Sequence, residues 1–469
     1  MNTNQHPLHY YFVRNYLGDD ITVGVFNRAT YFTNDRGYIA SSIVACRGGA
    51  GNQFDWFDVG SGDDQPDVKL AELHGLCFCG GNRGDIMIRR GIFKEEHNVF
   101  RTSVQKWADA AVVPNEPQWR RDGQVSREVW KSAGEQGYLA MFMPEEHGGL
   151  GLDDFRYDQI LIEELTWRSP GLFIPLHNRI VAPYFLHVAN DEQKSRFLPG
   201  IISGEKILAI GMTEPSTGSD LAAVKTHAQD CGDHWVLNGA KTFISNGLLA
   251  DIIVVAARTD PDNPRSIGLF IVERGMEGFS RGAKLEKLGL PSQDTAELFF
   301  DEVKIPKENL LGGASQGFMN MMRGLAEERL TAGIGFLARA ERAFSVTLDY
   351  IKERKAFGRP VGVFQNSRFA MAALRTKLDA TQAFVDHCVV EHLEGALSAE
   401  LAAGVKLMTS EVEWEVVDQC LQLHGGNGYM QEYEICRLFA DARISRIYAG
   451  TSEIMKEIIG RGLGLDDRG

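Results

Sequence analysis

Apolar residues change their spacing twice along the chain, and each change indicates a different kind of structure. Between Phe93 and Ala111 they recur at intervals of seven, four, three and four, which predicts one face of a helix ending before Pro114. Similar periodicity predicts further helices at 126–137, 153–168, 176–188 and 191–203. The segment after residue 86 is therefore expected to begin with a helical domain.

Short apolar runs separated by turn residues replace the helical pattern in the middle of the chain. They predict strands at 207–212, 234–239, 251–258, 267–273 and 296–303. After Pro306 the longer period returns, with helices expected at 317–355, 362–394, 398–424 and 450–461. This order predicts an α+β fold, with an N-terminal helical domain (87–206), a middle β domain (207–312) and a C-terminal helical domain (313–469).

The first 86 residues differ from the rest of the chain. Two possible strands, ITVGVF (21–26) and YIASSIVAC (38–46), stand among stretches rich in Gly and Asp. Residues 80–86 can be encoded by a purine-rich run of the kind that forms a ribosome-binding site, so Met87 is a hypothetical natural start. Peptides upstream of Met87 in the natively expressed protein would contradict this hypothesis.

Composition narrows the functional class. The 469 residues carry a formal net charge of −14, which argues against a general nucleic-acid binder because phosphate contacts need clustered Lys and Arg. No apolar run approaches the roughly 18 residues that a membrane helix requires, so no membrane span is expected. The N-terminus lacks the basic start and apolar stretch of a secretory signal, which favours a cytoplasmic location.

Cysteine spacing favours neither disulfides nor a metal site. The number of cysteines is odd and no CxxC pair occurs, so all seven are interpreted as reduced thiols. They are Cys46, Cys77, Cys79, Cys231, Cys388, Cys420 and Cys436.

A dinucleotide-binding Rossmann site is not favoured by the one glycine motif that approaches it. The stretch from Gly333 to Ala338 reads GxGxxA, but it lies inside the long predicted helix and follows no strand. Its backbone amides are committed to the helix. A nucleotide cofactor would therefore have to be held in another way.

Five other motifs carry the candidate chemistry. Each could be a structural turn by itself, since Gly-rich turns and an Arg near a helix end are common structural features. They are GMTEPSTGSD (211–220), KTFISNG (241–247), RKAFG (354–358), QLHGGNGY (422–429) and IYAGTSEI (447–454).

In this order the five motifs closely resemble those of the acyl-CoA dehydrogenase family. The resemblance extends from about Ile88 to Ile459, some four-fifths of the chain. QDTAELFF (293–300) and IYAGTSEIMKEII (447–459) look most like the long-chain members and their bacterial relatives. The resemblance to the family implies an acyl-CoA dehydrogenase-like fold whose C-terminal domain is a four-helix bundle, with FAD as the cofactor.

The resemblance also implies which residues hold FAD. Phe243 matches a residue that stacks on the isoalloxazine, and Ser245 matches one that bonds its edge. Other matching positions lie near the flavin ring or reach the FAD of a neighbouring subunit, which implies a homodimer or homotetramer. The implied cofactor residues beside Phe243 and Ser245 are Met212, Thr213, Ser219, Arg354, Phe357, Gln365, Gln422, Gly425, Gly426, Thr451 and Glu453.

The base that removes the substrate α-proton needs a separate argument. Many family members carry a Glu where this chain has Ala449, which has no proton acceptor. A subset, including long-chain and isovaleryl enzymes, carries it immediately before an Arg on the long helix, and Glu328 matches that position. Glu328 is therefore predicted as the base, with Glu327 as a solvated neighbour.

The substrate is predicted to be a fatty acyl-CoA. In the family, the backbone N–H at position 449 holds the thioester oxygen, as an oxyanion hole does, and Ala449 keeps that N–H. Ser219, Arg329, Tyr448 and Gly450 are expected beside the substrate. Electrons are expected to pass to an electron-transfer flavoprotein, and the segment 172–184 is expected to form the floor of the acyl pocket.

Two alternatives stay open at this point. An oxygen-using flavoenzyme on the same fold, such as a nitroalkane oxidase or an N-oxygenase, would turn over in air. A catalytically inactive homologue that only binds CoA or FAD would not need a carboxylate at position 328.

Overall fold

The computed structural model divides the chain into two compact units, Met1–Gly80 and Gly81–Gly469. It describes residues 88–465 and, in the first unit, five short strands. These are β1 (Ile21–Phe26), β2 (Ala29–Asn34) and β3 (Gly37–Tyr38), which form an antiparallel sheet, and the pair β4 (Arg47–Gly48) and β5 (Phe54–Asp55).

One of the two strands predicted for the first unit can be compared with the structure. The strand ITVGVF is confirmed as β1. Most of the second predicted strand, and the hypothesis that Met87 is the natural start, lie outside the described residues.

Helices open the second unit, as predicted. They are α1 (Glu95–Ala111), α2 (Glu116–Asp122), α3 (Arg127–Glu135), α4 (Phe155–Arg168), a π-helical turn (Leu176–Val181), α5 (Ala182–His187) and α6 (Asp191–Ile202).

Two changes from the sequence expectation have local causes. The helix predicted over 176–188 is divided, because Pro183 has no N–H to donate to a carbonyl one turn earlier and the preceding residues widen into the π-turn. Helix α2 was not predicted, since Pro114 indicates the end of a helix. A new helix begins at Glu116, with Pro117 in its first turn, where a proline is tolerated.

An eight-stranded sheet follows. Its strands are β6 (Leu208–Gly211), β7 (His227–Asp230), β8 (His234–Ser245), β9 (Ile252–Arg258), β10 (Ile267–Glu273), β11 (Phe279–Lys284), β12 (Thr295–Pro306) and β13 (Leu310–Leu311). All five predicted strands are present, and β7, β11 and β13 are additional. The spatial order is β11-β12-β8-β7-β9-β10-β13, with β6 pairing parallel to β9.

Strand β8 is longer than predicted and contains the one irregularity that matters for the site. The predicted strand ends at Gly239, but the observed strand continues to Ser245. The glycine instead permits a close approach, since a Cβ there would come within 2.8 Å of Thr226. Between Lys241 and Ile244 the register with β12 shifts, so that two residues of β8 oppose one of β12. This is a β-bulge, and Phe243 lies in it.

The C-terminal part is helical, as predicted. Its long helices α7 (Gly317–Glu353), α8 (Gln365–Leu393) and α9 (Ala399–His424) pack together with the shorter α10 (Glu434–Ala442) and α11 (Ser452–Gly462). A small hairpin, β14 (Lys355–Ala356) and β15 (Arg359–Pro360), joins α7 to α8. The GxGxxA stretch lies within α7, where a Cβ on Gly333 would come within 3.1 Å of Thr409. That glycine therefore permits close packing of α7 on α9.

A buried carboxylate connects the three parts of the second unit. Asp441 on α10 accepts hydrogen bonds from Arg120 of α2 at 3.1 Å and from the backbone N–H of Leu290, in the loop between β11 and β12, at 2.5 Å. Its side chain is almost fully buried. Within residues 88–465, no helix is long and apolar enough to cross a membrane.

Candidate active site

A cavity of about 480 Å³ opens where the three parts of the second unit meet. Helix α4 and the segment after it form one wall, β8 and the 285–295 loop a second, and α7 with the 440–448 segment a third. Its lining residues include Thr166, Phe173, Phe243, Ser245, Gln293, Thr331, Gly335, Arg339, Arg443 and Tyr448. The structure thus brings together the predicted residues Phe243, Ser245 and Tyr448.

Phe243 presents an aromatic face to this cavity. Its backbone has a φ of +59° in the β8 bulge, and its side chain is 68% exposed, which is unusual for a Phe inside a sheet. The bulge reorients the ring away from the sheet. A free aromatic face of this kind is suited to stacking against a flat ring system.

Polar atoms without partners point to a polar ligand in the same cavity. The amide Nε2 of Gln293 and the hydroxyl of Thr331 are buried and make no hydrogen bond within the described residues. Buried polar groups are nearly always paired, so unpaired ones in a cavity wall are candidates for ligand contacts.

The 211–220 motif is organised by a carboxylate that was not among the predicted site residues. Glu214 accepts hydrogen bonds from the backbone N–H groups of Lys225 and Thr226 and from the Lys241 ammonium, at 2.7, 2.9 and 2.8 Å. Lys241 also donates to the carbonyl of Met212 at 3.2 Å. This network fixes the turn that presents Met212, Thr213 and the exposed Ser219.

Six predicted cofactor residues lie outside the cavity, at one end of the C-terminal helices. Tyr350 near the end of α7 stacks on His424 at the end of α9, with ring centroids 4.1 Å apart. The carbonyl of Arg354 accepts a hydrogen bond from Val361 at 2.7 Å, which holds the start of α8 close by. All six residues are exposed; they are Arg354, Phe357, Gln365, Gln422, Gly425 and Gly426.

The predicted base is buried next to the cavity. Glu328 is 8% exposed on α7, one turn before the cavity-lining Thr331 and Ala332. Gly324 leaves room for its carboxylate, because a Cβ there would come within 3.0 Å of Glu328 Oε1. Burial raises the pKa of Glu328 to about 8; the negative charge of Glu327 raises it further and Arg329 opposes the rise.

The expectation that Glu327 is solvated was wrong. Its side chain is only 23% exposed and lies 3.6 Å from Arg179 of the π-turn and 3.4 Å from His392 of α8. Arg179 in turn is paired with Asp158 at 2.5 Å. Burial raises the pKa of Glu327 to about 7, and the Arg179 charge opposes that rise. Partners on other elements, which the local helix pattern does not reveal, place this side chain inside.

The loop 447–451 completes the site. Ala449 has a φ of +54° and Gly450 a φ of +87°, so two successive residues are left-handed. The backbone N–H of Ala449 has no hydrogen-bond acceptor among the residues that the structure describes. Thr451 caps α11 by accepting from the N–H of Ile454 at 3.3 Å, and Glu453 is exposed in the first turn of that helix.

Comparison with known protein families shows the family to which the second unit belongs. Sequence models of the acyl-CoA dehydrogenase N-terminal, middle and C-terminal domains match residues 94–205, 209–303 and 315–464. The chain belongs to the acyl-CoA dehydrogenase family. As a member of this family it is a flavoprotein oxidoreductase that acts on CH–CH groups and depends on FAD.

Individual relatives agree with this assignment. The pig mitochondrial long-chain specific acyl-CoA dehydrogenase is 44% identical over 380 residues, 80% of this chain and 88% of the relative. A crystal structure of acyl-CoA dehydrogenase from Geobacillus kaustophilus is 44% identical, with a TM-score of 0.79 over 80% of this chain and all of the other. A Mycobacterium smegmatis glutaryl-CoA dehydrogenase in complex with FADH2 is 27% identical, with a TM-score of 0.74 and 79% and 95% coverage.

The residues that line the cavity fit FAD. The Phe243 face suits the flat flavin ring, and the unpaired Gln293 amide and Thr331 hydroxyl supply polar contacts for its edge or side chain. Gly335 borders the cavity without a side chain that would fill it.

Several residues of the site were not predicted. Thr166, Gln293, Thr331 and Arg339 line the cavity but belong to none of the five motifs. One signal could have found Arg339 and also Lys406 of α9. Both are charged residues on helix faces that are otherwise apolar, and such residues are seldom buried unless they are paired.

Proposed function

We propose that this family member oxidises a saturated, medium- to long-chain acyl-CoA to the trans-2-enoyl-CoA, with Glu328 as the base that removes the α-proton. FAD, held by Phe243 and Ser245 among others, would supply the acceptor for the β-hydrogen, a hydride acceptor at flavin N5. The observation that carries the proposal is the buried carboxylate of Glu328, one turn before the cavity-lining residues of α7, in a chain whose position 449 has no proton acceptor.

The surroundings of Glu328 suit a base. Burial favours the neutral acid, so a deprotonated Glu328 has a strong affinity for a proton, and its pKa of about 8 is close to a neutral working pH. Tyr184 lies within electrostatic range: burial raises the pKa of its phenol, and the Glu328 charge raises it further. The Tyr184 hydroxyl is buried and has no hydrogen-bond partner within residues 88–465. The raised pKa keeps this phenol protonated at neutral pH, so Tyr184 adds no negative charge near the base.

Ala449 would contribute through its backbone. An unpaired N–H in a left-handed loop is free to donate to a ligand, and a thioester oxygen held in this way acidifies the α-proton. Thr213, Ser245 and Thr451 supply hydroxyls, and Phe243 a stacking face, for the cofactor. Arg329 and Tyr448 are proposed to lie beside the thioester.

Removing the neighbouring carboxylate is expected to change the pH dependence of the reaction. The negative charge of Glu327 raises the pKa of Glu328, so Glu327→Gln should lower that pKa. Since the base must be deprotonated, the acid limb of kcat/KM should move to lower pH. The groups that face Glu328 are Glu327, Arg329 and Tyr184, and only the first is changed.

The matched control is Asp349→Asn. Asp349 is exposed on the same helix, and 21 residues at 1.5 Å each place it about 30 Å away. It should leave the pH profile unchanged. A profile of Glu327→Gln that coincides with the wild type, or moves to higher pH, would show that Glu327 does not set the proton affinity of the base.

The segment predicted to form the acyl pocket flanks the base. Phe173 and Pro175 line the cavity, Arg179 contacts Glu327, and Tyr184 lies near Glu328. The long-chain name of the pig relative supports an acyl chain of at least medium length. That relative is also named as mitochondrial, and the cytoplasmic location expected from the sequence stays a prediction.

We also propose a homodimer or homotetramer in which the exposed end of the C-terminal helices contacts the FAD of a neighbouring subunit. Phe357 is 94% exposed, and a groove of about 380 Å³ between the end of α7 and the start of α8 is lined by Ile351, Val363 and Met371 among others. An Arg such as Arg354 suits a pyrophosphate, since its donors form a fixed fork. An electron-transfer flavoprotein is the proposed acceptor of the electrons.

The test is an anaerobic titration of the purified yellow protein with saturated acyl-CoAs of increasing chain length, followed by flavin absorbance. Bleaching would establish dehydrogenation, and the length that bleaches most completely would give the substrate class. FAD that stays oxidised with every acyl-CoA would contradict the proposal. Rapid turnover in air would instead favour an oxygen-using flavoenzyme.

A further inference from the structure

Lys406 is a buried cation that no step described above uses. It lies on α9 with 0% exposure, among Ala402, Ala403 and Val405 on the face turned into the bundle. A Lys side chain is almost never fully buried unless it is paired. Burial accordingly lowers the pKa of Lys406 to about 8, with Glu411 opposing this shift and Arg329 adding to it.

The ammonium group of Lys406 has one direct partner within the described residues, and that partner is in the active-site loop. Nζ donates a hydrogen bond to the carbonyl of Gly450 at 2.5 Å. It also lies 5.9 Å from the centre of the Phe336 ring on α7, and Tyr448 packs edge-on against the same ring at 5.4 Å. Lys406 therefore contacts the 447–451 loop at the carbonyl of Gly450.

The loop needs such a restraint. Ala449 is left-handed, a conformation that a residue with a side chain keeps only where its surroundings enforce it. On one side, the N–H of Tyr448 is bonded to the carbonyl of Ile444 at 3.2 Å. On the other side, the Gly450 carbonyl is bonded to Lys406. These two bonds bracket Ala449 and leave its own N–H free.

We propose that Lys406 is a positioning residue that holds the Gly450 carbonyl, and through it orients the Ala449 N–H toward the substrate thioester oxygen. This inference rests on the proposed function. The buried positive charge of Lys406 also favours the negative charge that develops on that oxygen as the α-proton leaves. Lys406 itself need not touch the substrate.

The experiment compares holoenzymes carrying Lys406→Met, Lys406→Gln and Lys406→Arg with the wild type. The probes are 3-thia-acyl-CoAs of the same chain lengths as the acyl-CoAs of the titration, in which sulfur at the β position prevents hydride loss. Loss of the α-proton gives an enolate, whose long-wavelength charge-transfer band with oxidised flavin is measured. The control Lys377→Met removes a partly exposed Lys of α8 that pairs with Glu415 at 2.5 Å, away from the loop.

We expect the Met variant to bind FAD and to need at least tenfold more probe, or to give a band at least tenfold weaker, than the wild type and Lys377→Met. The Arg variant, which keeps a charge and donors, should recover part of the band. A wild-type band in Lys406→Met would overturn the inference.

If the Met variant does not retain FAD, the comparison of Gln with Arg takes its place. A stronger band with Arg than with Gln supports the inference, and equal bands overturn it. A failure of the proposed function is distinguishable, since the wild type would then be neither bleached by acyl-CoA nor give a band with the probe. A band in the wild type that is unaffected by every Lys406 variant removes the inference about Lys406 alone.

Discussion

Glu328→Gln is expected to lower acyl-CoA turnover by roughly 10³-fold or more while FAD stays bound. Gln has the shape of Glu but cannot accept the α-proton, and position 449 offers no substitute carboxylate. Steady-state turnover and anaerobic bleaching measure the loss, and the flavin spectrum confirms that the cofactor is retained. The comparison variant is Glu327→Gln, which should keep most of its turnover at alkaline pH.

If Glu327→Gln were the inactive variant and Glu328→Gln the active one, the base would have been assigned to the wrong carboxylate. The double variant Glu328→Gln/Ala449→Glu adds a second check. We expect it to stay nearly inactive, because the left-handed backbone at position 449 fixes where a new carboxylate would lie and no other residue of the site is changed to suit it. Substantial recovery of turnover would contradict this expectation.

Glu413→Gln is expected to destabilise the folded protein by about 3–5 kcal/mol. Glu413 on α9 is completely buried and accepts a hydrogen bond from the guanidinium of Arg339 on α7, whose side chain is 4% exposed. The substitution keeps the size of the side chain but removes the only carboxylate that is hydrogen-bonded to the buried Arg339 within the described residues, and leaves the more distant charge of Asp441. Since Arg339 also lines the cavity, loosening of this wall should accompany the loss of stability.

The control lies two residues away on the same helix. Glu415 is 39% exposed and pairs with Lys377, so Glu415→Gln should change the stability by no more than about 1 kcal/mol. Thermal unfolding with excess FAD measures the loss of stability in Glu413→Gln and in Glu415→Gln relative to the wild type. A double variant, Arg339→Met/Glu413→Leu, should recover much of the stability because both charges are then gone. Equal melting temperatures for Glu413→Gln and Glu415→Gln would show that the buried pair contributes little.

The strands and helices were largely predictable because the apolar pattern that specifies each of them is local in the sequence. The apolar runs of β9 and β10 and the long periodic helices α7 and α9 have bounds within two residues of those predicted. Elements with weak apolar patterns were missed, such as β11, which has no buried residue. Gly239 shows the opposite error, since it reads as a turn residue but serves a close approach of two chain segments.

The site was predictable only where residues belong to contiguous motifs. Phe243, Ser245 and Tyr448 came from such motifs and line one cavity, and the roles of all the predicted site residues stay predictions. The contacts of Glu327 with Arg179 and His392, and of Lys406 with Gly450, join distant parts of the chain. One sequence contains no local pattern that specifies such pairs.

Asp441 has a consequence for how the cofactor enters and leaves. One buried carboxylate holds α2, α10 and the loop that contains Leu290, and that loop is part of the cavity wall. A hinge motion that separated any two of these would leave a buried charge or N–H unpaired. Opening the cavity by such a motion therefore costs free energy. With FAD in this cavity, as proposed, its release would require the three-way junction to open, so we expect holoenzyme diluted into cofactor-free buffer to lose its FAD slowly.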